Sequence, residues 1–166
     1  MKVHPHMNVY ERHDLIKRAH EIPKHHTLVG LDHGTKTIGV AVSDTLWMTA
    51  TALGTVAKKK FTKDMEQLKN MLGAREIGAF VLGLPVEMDG TKGPRAQAVA
   101  DYAHTLEAHV GRPCLLWEER LSTAEAERAM IAADLTRATR KKFIDGHAAA
   151  IILQSALDRL HEASRS

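Results

Sequence analysis

Thr27-Leu28-Val29-Gly30-Leu31-Asp32-His33-Gly34-Thr35-Lys36-Thr37-Ile38-Gly39-Val40-Ala41-Val42-Ser43-Asp44 is the stretch on which the fold turns. Thr27–His33 is apolar until it closes on an acid. Gly34-Thr35 supplies a turn, and Lys36–Asp44 alternates, with Ile38, Val40 and Val42 on one face. An apolar run, a turn and an alternating run predict a β-hairpin. A third strand is expected across Ala50–Val56. Lys58-Lys59-Lys60 then leads into a helix over about Lys63–Leu72, closed by Gly73. The unbroken apolar run Gly78–Leu84 reads as a buried strand. A turn-rich loop, Pro85–Gly93, precedes Pro94, which sits where a helix would start and continue over Arg95–His109. Pro113–Glu118 is another buried strand ending in charge. Ser122 and Glu125 form a capping box that opens a helix to about Ala133, and a last helix runs over about Lys141–Glu162. The order is β-β-β-α-β-α-β-α: three antiparallel strands, then parallel crossovers. The expected class is α/β, a mixed five-stranded sheet flanked by helices.

Composition fits that reading. A chain of 166 residues suits one domain, and 44% apolar with 26% charged residues is the balance of a globular protein. The longest purely apolar run is Ala148–Leu153, far short of a bilayer span, and the first ten residues lack the apolar core of a secretory signal. Cys114 is the single cysteine, which excludes an internal disulfide or a C-x-x-C pair and points to a reducing, cytoplasmic setting. The net charge of +3 permits a polyanionic partner without demanding one. Seven aromatic residues are few for a base-stacking platform. Residues 1–26 differ from the rest: they hold six of the eleven histidines, with poor periodicity, and read as a mobile N-terminal extension before a domain over 27–166. The histidine spacings there match no standard metal site.

Three acids stand out. Asp32 closes the first strand, at the sheet edge where ligand sites form. Glu118-Glu119 closes the last strand in the same way, and spacing alone does not choose between the two. Asp145 heads a series with Ala149, Ile152, Ala156 and Leu160, which puts it on the apolar stripe of the last helix. Carboxylates meeting at one edge repel one another, and a divalent cation held by hard oxygen ligands, Mg²⁺ or Mn²⁺, relieves that repulsion. Such ions can activate water for phosphodiester hydrolysis. Each acid also has a plain structural use. Asp32 could cap the turn at Gly34, Glu118 or Glu119 could pair with Arg120, and Asp145 could pair with Arg140, Lys141 or Lys142.

Basic residues surround these acids. Residues 120–142 hold six basic side chains against three acidic ones. Arg120, Arg140 and Lys142 in that segment, with Lys36 in the hairpin turn and Arg95 at a helix start, are the candidate nucleic-acid contacts. Gly83, Gly90 and Gly93 allow close backbone approach ahead of the Pro94-Arg95 helix start, which can receive a phosphate. Lys58-Lys59-Lys60 reads as a solvated connection. Cys114, Trp47 and Trp117 read as packing residues, and His147 as a helix-face histidine.

Leu31-Asp32-His33-Gly34-Thr35-Lys36 with Ile38–Asp44 resembles the opening motif of the YqgF/RuvX family. Gly83-Leu84-Pro85, Met88-Asp89-Gly90-Thr91 and Gly93–Ala98 resemble its second motif. Glu119–Ala126 resembles the third, and Ile144-Asp145 with Ala148-Ala149 and Ile151–Ser155 the fourth. The likeness spans roughly residues 27–160. It implies an RNase H-like fold and a metal-bound acidic triad of Asp32, Glu119 and Asp145, and so prefers Glu119 to Glu118. It also implies a nuclease that matures the 5′ end of pre-16S ribosomal RNA or resolves Holliday junctions in DNA. Glu118, where the family commonly has Asp, and His33 beside the first acid depart from the pattern. The expectation is a metal-dependent endonuclease acting on structured nucleic acid, with ribosomal RNA precursor preferred over branched DNA. A paired substrate would suit a homodimer. The rivals are a non-catalytic nucleic-acid-binding module of the same fold and a sugar-kinase-type phosphotransferase, whose phosphate loop also reads Asp-x-Gly-Thr but whose architecture needs two such domains.

Overall fold

The computed structural model describes residues 7–120 and 146–165. The helix expected over Ser122–Ala133, the basic residues Arg137, Arg140, Lys141 and Lys142, and Asp145 lie outside the described residues. So do the side chains of Glu119 and Arg120.

The hairpin forms as the sequence predicts. β1 (Thr27–His33) pairs antiparallel with β2 (Thr37–Ser43), and the turn is closed by the Gly34 amide donating to the Thr37 carbonyl. β3 (Ala50–Ala57) pairs antiparallel with β2. β4 (Ile77–Val86) lies parallel to β1 on its other side, and β5 (Cys114–Arg120) parallel to β4. The sheet order is β3-β2-β1-β4-β5. It is the mixed five-stranded sheet that the sequence predicts, with the carboxyl ends of β1, β4 and β5 on one edge.

Helices cover both faces. β1 alternates its side chains between the faces, which sorts the core in two. Val29 and Leu31 join Phe80, Leu82 and Leu116 on one face. There they meet Met65, Leu68 and Leu72 of α3 (Phe61–Leu72) and Val99, Ala103 and Leu106 of α4 (Pro94–Val110). Leu28 faces the other way with Ala41, Val81 and Leu115. The C-terminal helix α5 (Ala148–Arg165) lays Ile152, Leu153, Ala156, Leu157 and Leu160 on them. Each buried Leu or Ile contributes about 1.5–3 kcal/mol. The stripe read from the sequence is real: Ala149, Ile152, Ala156 and Leu160 are all buried.

α5 comes unusually close to the sheet. A Cβ on Gly30 would lie 2.7 Å from Leu153 Cβ and 2.8 Å from the Ala149 carbonyl oxygen. At the entry to α5, Gly146 has φ +103°, and a Cβ there would meet the carbonyl oxygens of Gly54 and Val40 at 2.6 and 2.7 Å. Only glycine fits such a site.

The segment expected as a mobile arm is packed against the domain over its described part. α1 (Val9–Arg12), α2 (Leu15–Arg18) and a 3₁₀ turn (Ala19–Glu21) run beside β5 and α4. The His13 carbonyl accepts from the Leu116 amide, and Asp14 bridges Leu116 in parallel. Leu15 is buried, His13 Nδ1 lies 2.8 Å from the Cys114 carbonyl, and Arg18 donates to Glu107 at 2.8 Å and to both oxygens of Glu21. These short helices anchor through polar groups and one leucine, which explains the lack of an apolar stripe. They also cover the open edge of β5.

Candidate active site

Asp32 sits at the carboxyl end of β1, half-buried, paired across the hairpin with Gly39. It alternates with Leu31 and so belongs to the α5 face of the sheet. The missing side chain of Gly39 lets Asp32 and the start of α5 approach closely. A Cβ built on Gly39 would be 3.4 Å from Asp32 Cβ and 3.4 Å from Gly146 Cα. Asp32 Cβ and Gly146 Cα are thus separated by no more than twice that distance, which brings the chain next to Asp145 up against Asp32.

β5 reaches the same edge. Leu31, Leu82 and Leu116 stand in register across β1, β4 and β5, and all three belong to the α3/α4 face. Trp117 therefore turns to α5, where its indole N–H donates to Ser155 Oγ at 3.0 Å. Glu118 turns back toward α4, and its carboxylate lies 3.5 Å from Lys92 Nζ. Position 119 lies opposite Pro85 at the same edge. Two interstrand steps, about 10 Å, divide β1 from β5.

The other face of the same edge is cationic. His33 is buried and lies on Tyr102 of α4, ring centroids 4.3 Å apart. Arg95, in the first turn of α4, donates to the His33 carbonyl and has Nη2 3.4 Å from Nδ1 of the ring. Lys58 Nζ lies 3.0 Å from the opposite ring nitrogen and 3.3 Å from the Gly34 carbonyl. Burial first, then the charges of Lys58 and Arg95, hold the His33 imidazole down at about 4, so it is neutral at pH 7. Lys36 is exposed on the hairpin turn.

The loop before α4 is ordered by its own hydrogen bonds. The Glu87 amide donates to Thr91, the Gly90 amide to Glu87, and the Thr91 amide to Asp89 Oδ1. Gly93 is the N-cap of α4 and Pro94 its first residue, as the sequence predicts.

Of the expected site residues, Asp32, Lys36, Arg95 and positions 119 and 120 lie at this one sheet edge. Arg140, Lys142 and Asp145 fall outside the described residues. Among the described residues no group of three His, Cys, Asp or Glu side chains is arranged to hold a metal ion. Lys58 is the residue that the sequence reading missed. The flush end of the β2–β3 pairing, Thr37 opposite Ala57, returns it to the hairpin turn, where its amide donates to the Lys36 carbonyl. Cys114 is buried, and that burial pushes its thiol well above the ordinary range, as suits a core residue.

The site thus sets an acid at the carboxyl edge of a mixed five-stranded sheet, with the cations Lys58 and Arg95 on the other face of the same edge. The chain belongs to the RuvX family, described as Holliday junction resolvase, whose model matches residues 26–159. It is 51% identical over 148 residues to a protein of Rhodobacter capsulatus, covering 89% of this chain and 93% of that one. It is 50% identical over 152 residues to one of Rhodopseudomonas palustris, covering 92% and 95%. Both carry the name "Putative pre-16S rRNA nuclease". Thermus thermophilus RuvC, solved in complex with a Holliday junction substrate, aligns over 85% of this chain and 95% of its own at 14% identity, with a TM-score of 0.43. Among the described residues no helix is long and apolar enough to cross a membrane.

Proposed function

We propose that this chain is a metal-dependent endonuclease of the cytoplasm, that it hydrolyses phosphodiester bonds at the 5′ end of pre-16S ribosomal RNA, and that Asp32, Glu119 and Asp145 are its metal-binding, catalytic carboxylates. The observation that carries the reading is convergence. Asp32 ends β1 at the edge that β5 also reaches at position 119, and Gly146, the neighbour of Asp145, approaches Asp32 across Gly39. The names of the half-identical relatives favour ribosomal RNA over a DNA junction.

The proposed donor set suits Mg²⁺ or Mn²⁺, since carboxylate oxygens are hard ligands. Held by Asp32, Glu119 and Asp145, such an ion would supply a water of lowered pKa and neutralise charge on phosphorus oxygens. The protein's own work is placement. β1 and β5 fix two carboxylates on a rigid sheet, and α5 is locked to β1 by the Gly30 contact. Arg95, Lys36, Arg120, Arg140 and Lys142 hold the strand by its phosphates, and a substrate with two equivalent strands would engage two copies of the chain.

The test is cleavage of a pre-16S precursor and of a four-way DNA junction by the full chain, with Mg²⁺, with Mn²⁺ and with EDTA. Cutting that needs metal, favours the RNA and disappears in Asp32→Asn supports the reading. Preferential junction cleavage gives the chain to DNA. Undiminished cutting by Asp32→Asn defeats the site.

A further inference from the structure

Two cations at the Asp32 edge are held in place by a single ring that cannot satisfy them both. Lys58 Nζ and Arg95 Nη2 approach opposite nitrogens of His33, at 3.0 and 3.4 Å. An imidazole offers at most one lone pair, whatever its protonation. Among the described residues the other acceptors bonded to them are the carbonyls of Gly34 and His33. Lysine brings three donors and arginine five. Among the described residues no carboxylate makes an ion pair with either, whereas Arg18 is paired with Glu21 and Glu107, and Lys92 with Glu118. The arrangement is nonetheless a built one. His33 is buried on Tyr102, and the Lys58 backbone is tied to Lys36. Much of the entropy of ordering these long side chains is spent before any ligand arrives.

We infer that Lys58 and Arg95 form a two-pronged clamp for the phosphodiester backbone, with His33 as the spacer between the prongs, seating a nucleic-acid strand across the end of β1 beside Asp32. The inference deepens the nuclease reading and rests on it. The ring keeps the two cations apart, which suits successive oxygens along a strand better than one isolated ion. Lys58 thereby acquires a binding role that its place in a three-lysine connection hides.

Binding is measured by fluorescence anisotropy with the full chain in EDTA, on a labelled rRNA-precursor fragment and a labelled four-way junction, over a series of KCl concentrations. Loss of one phosphate contact lowers the slope of log K against log salt by about 0.7–0.9, equivalent to about fivefold in affinity near 0.15 M salt. Lys58→Gln is expected to show that loss, Lys58→Glu a larger one, and Lys58→Arg to restore the wild-type slope. Lys69→Gln, at the far end of α3, is expected to leave binding unchanged. Thermal melting of each variant reports that it is folded. Wild-type slope and affinity in both Lys58→Gln and Lys58→Glu overturn the clamp while leaving the nuclease reading standing. A wild-type chain that binds neither probe overturns both.

Discussion

Replacing Gly146 by alanine tests whether the close packing at the entry to α5 supports the fold and the proposed cleavage. Two costs arise. A non-glycine residue at φ +103° pays about 1–3 kcal/mol of backbone strain. The new Cβ would also stand 2.6 and 2.7 Å from two carbonyl oxygens, where carbon and oxygen ordinarily stay about 3.3 Å apart. Those oxygens belong to β2 and β3 and cannot swing aside, so overpacking adds about 1–3 kcal/mol. The total, about 2–6 kcal/mol, is a large part of a domain's usual 5–15 kcal/mol. It lowers Tm by about 5–20 °C. If α5 escapes by moving about 1 Å from the sheet, cleavage falls by about 100-fold. Gly111→Ala is the control. Its φ is also positive, +68°, but nothing lies within 4 Å of the new Cβ, so it pays strain alone, about 1–2 kcal/mol, and keeps its cleavage rate. Urea denaturation and cleavage of the precursor are measured on both. Equal stability and equal activity in the two variants would refute the reasoning.

Glu107 gives a pH signature. Burial alone would raise its carboxyl, but the nearby His13 ring and hydrogen bonds from Arg18 and the Cys114 amide pull it down to about 2. An unfolded-state carboxyl titrates near 4.3. The stabilisation is therefore complete above about pH 5 and drains away as pH falls toward 2. Glu107→Gln should be less stable than wild type at pH 6, by a margin that shrinks below pH 4 in urea titrations; a constant margin from pH 6 to 2 would rule this out. Leu153→Ala removes a fully buried side chain packed over Gly30 and should cost about 2–5 kcal/mol, read as a lower urea midpoint at unchanged m. A loss under 1 kcal/mol would mean that α5 does not depend on that contact.

The parts of the fold that were legible have local causes. Thr27–Asp44 carries its own turn, its own alternation and its own acid, so hairpin and candidate residue come together. The stripe through Ala149, Ile152, Ala156 and Leu160 is one helix obeying its period. What stayed hidden depends on contacts between distant segments. Leu116 and Trp117 are both apolar, so alternation in β5 could not say which of them faces α5; the register with Leu82 and the Trp117–Ser155 hydrogen bond do. Lys58 meets His33 across 25 residues because two strands end flush. Gly146 reads as an ordinary glycine until β2 and β3 crowd it. The N-terminal helices, four residues each, are too short to show a period, and their hold on β5 is a set of individual hydrogen bonds.

The placement of α5 has a consequence for the sheet beneath it. Leu28, Ala41, Val81 and Leu115 are kept from water by the apolar stripe of this one helix. A chain that lost the stripe would bare a greasy face of the sheet and tend to stick to its own kind.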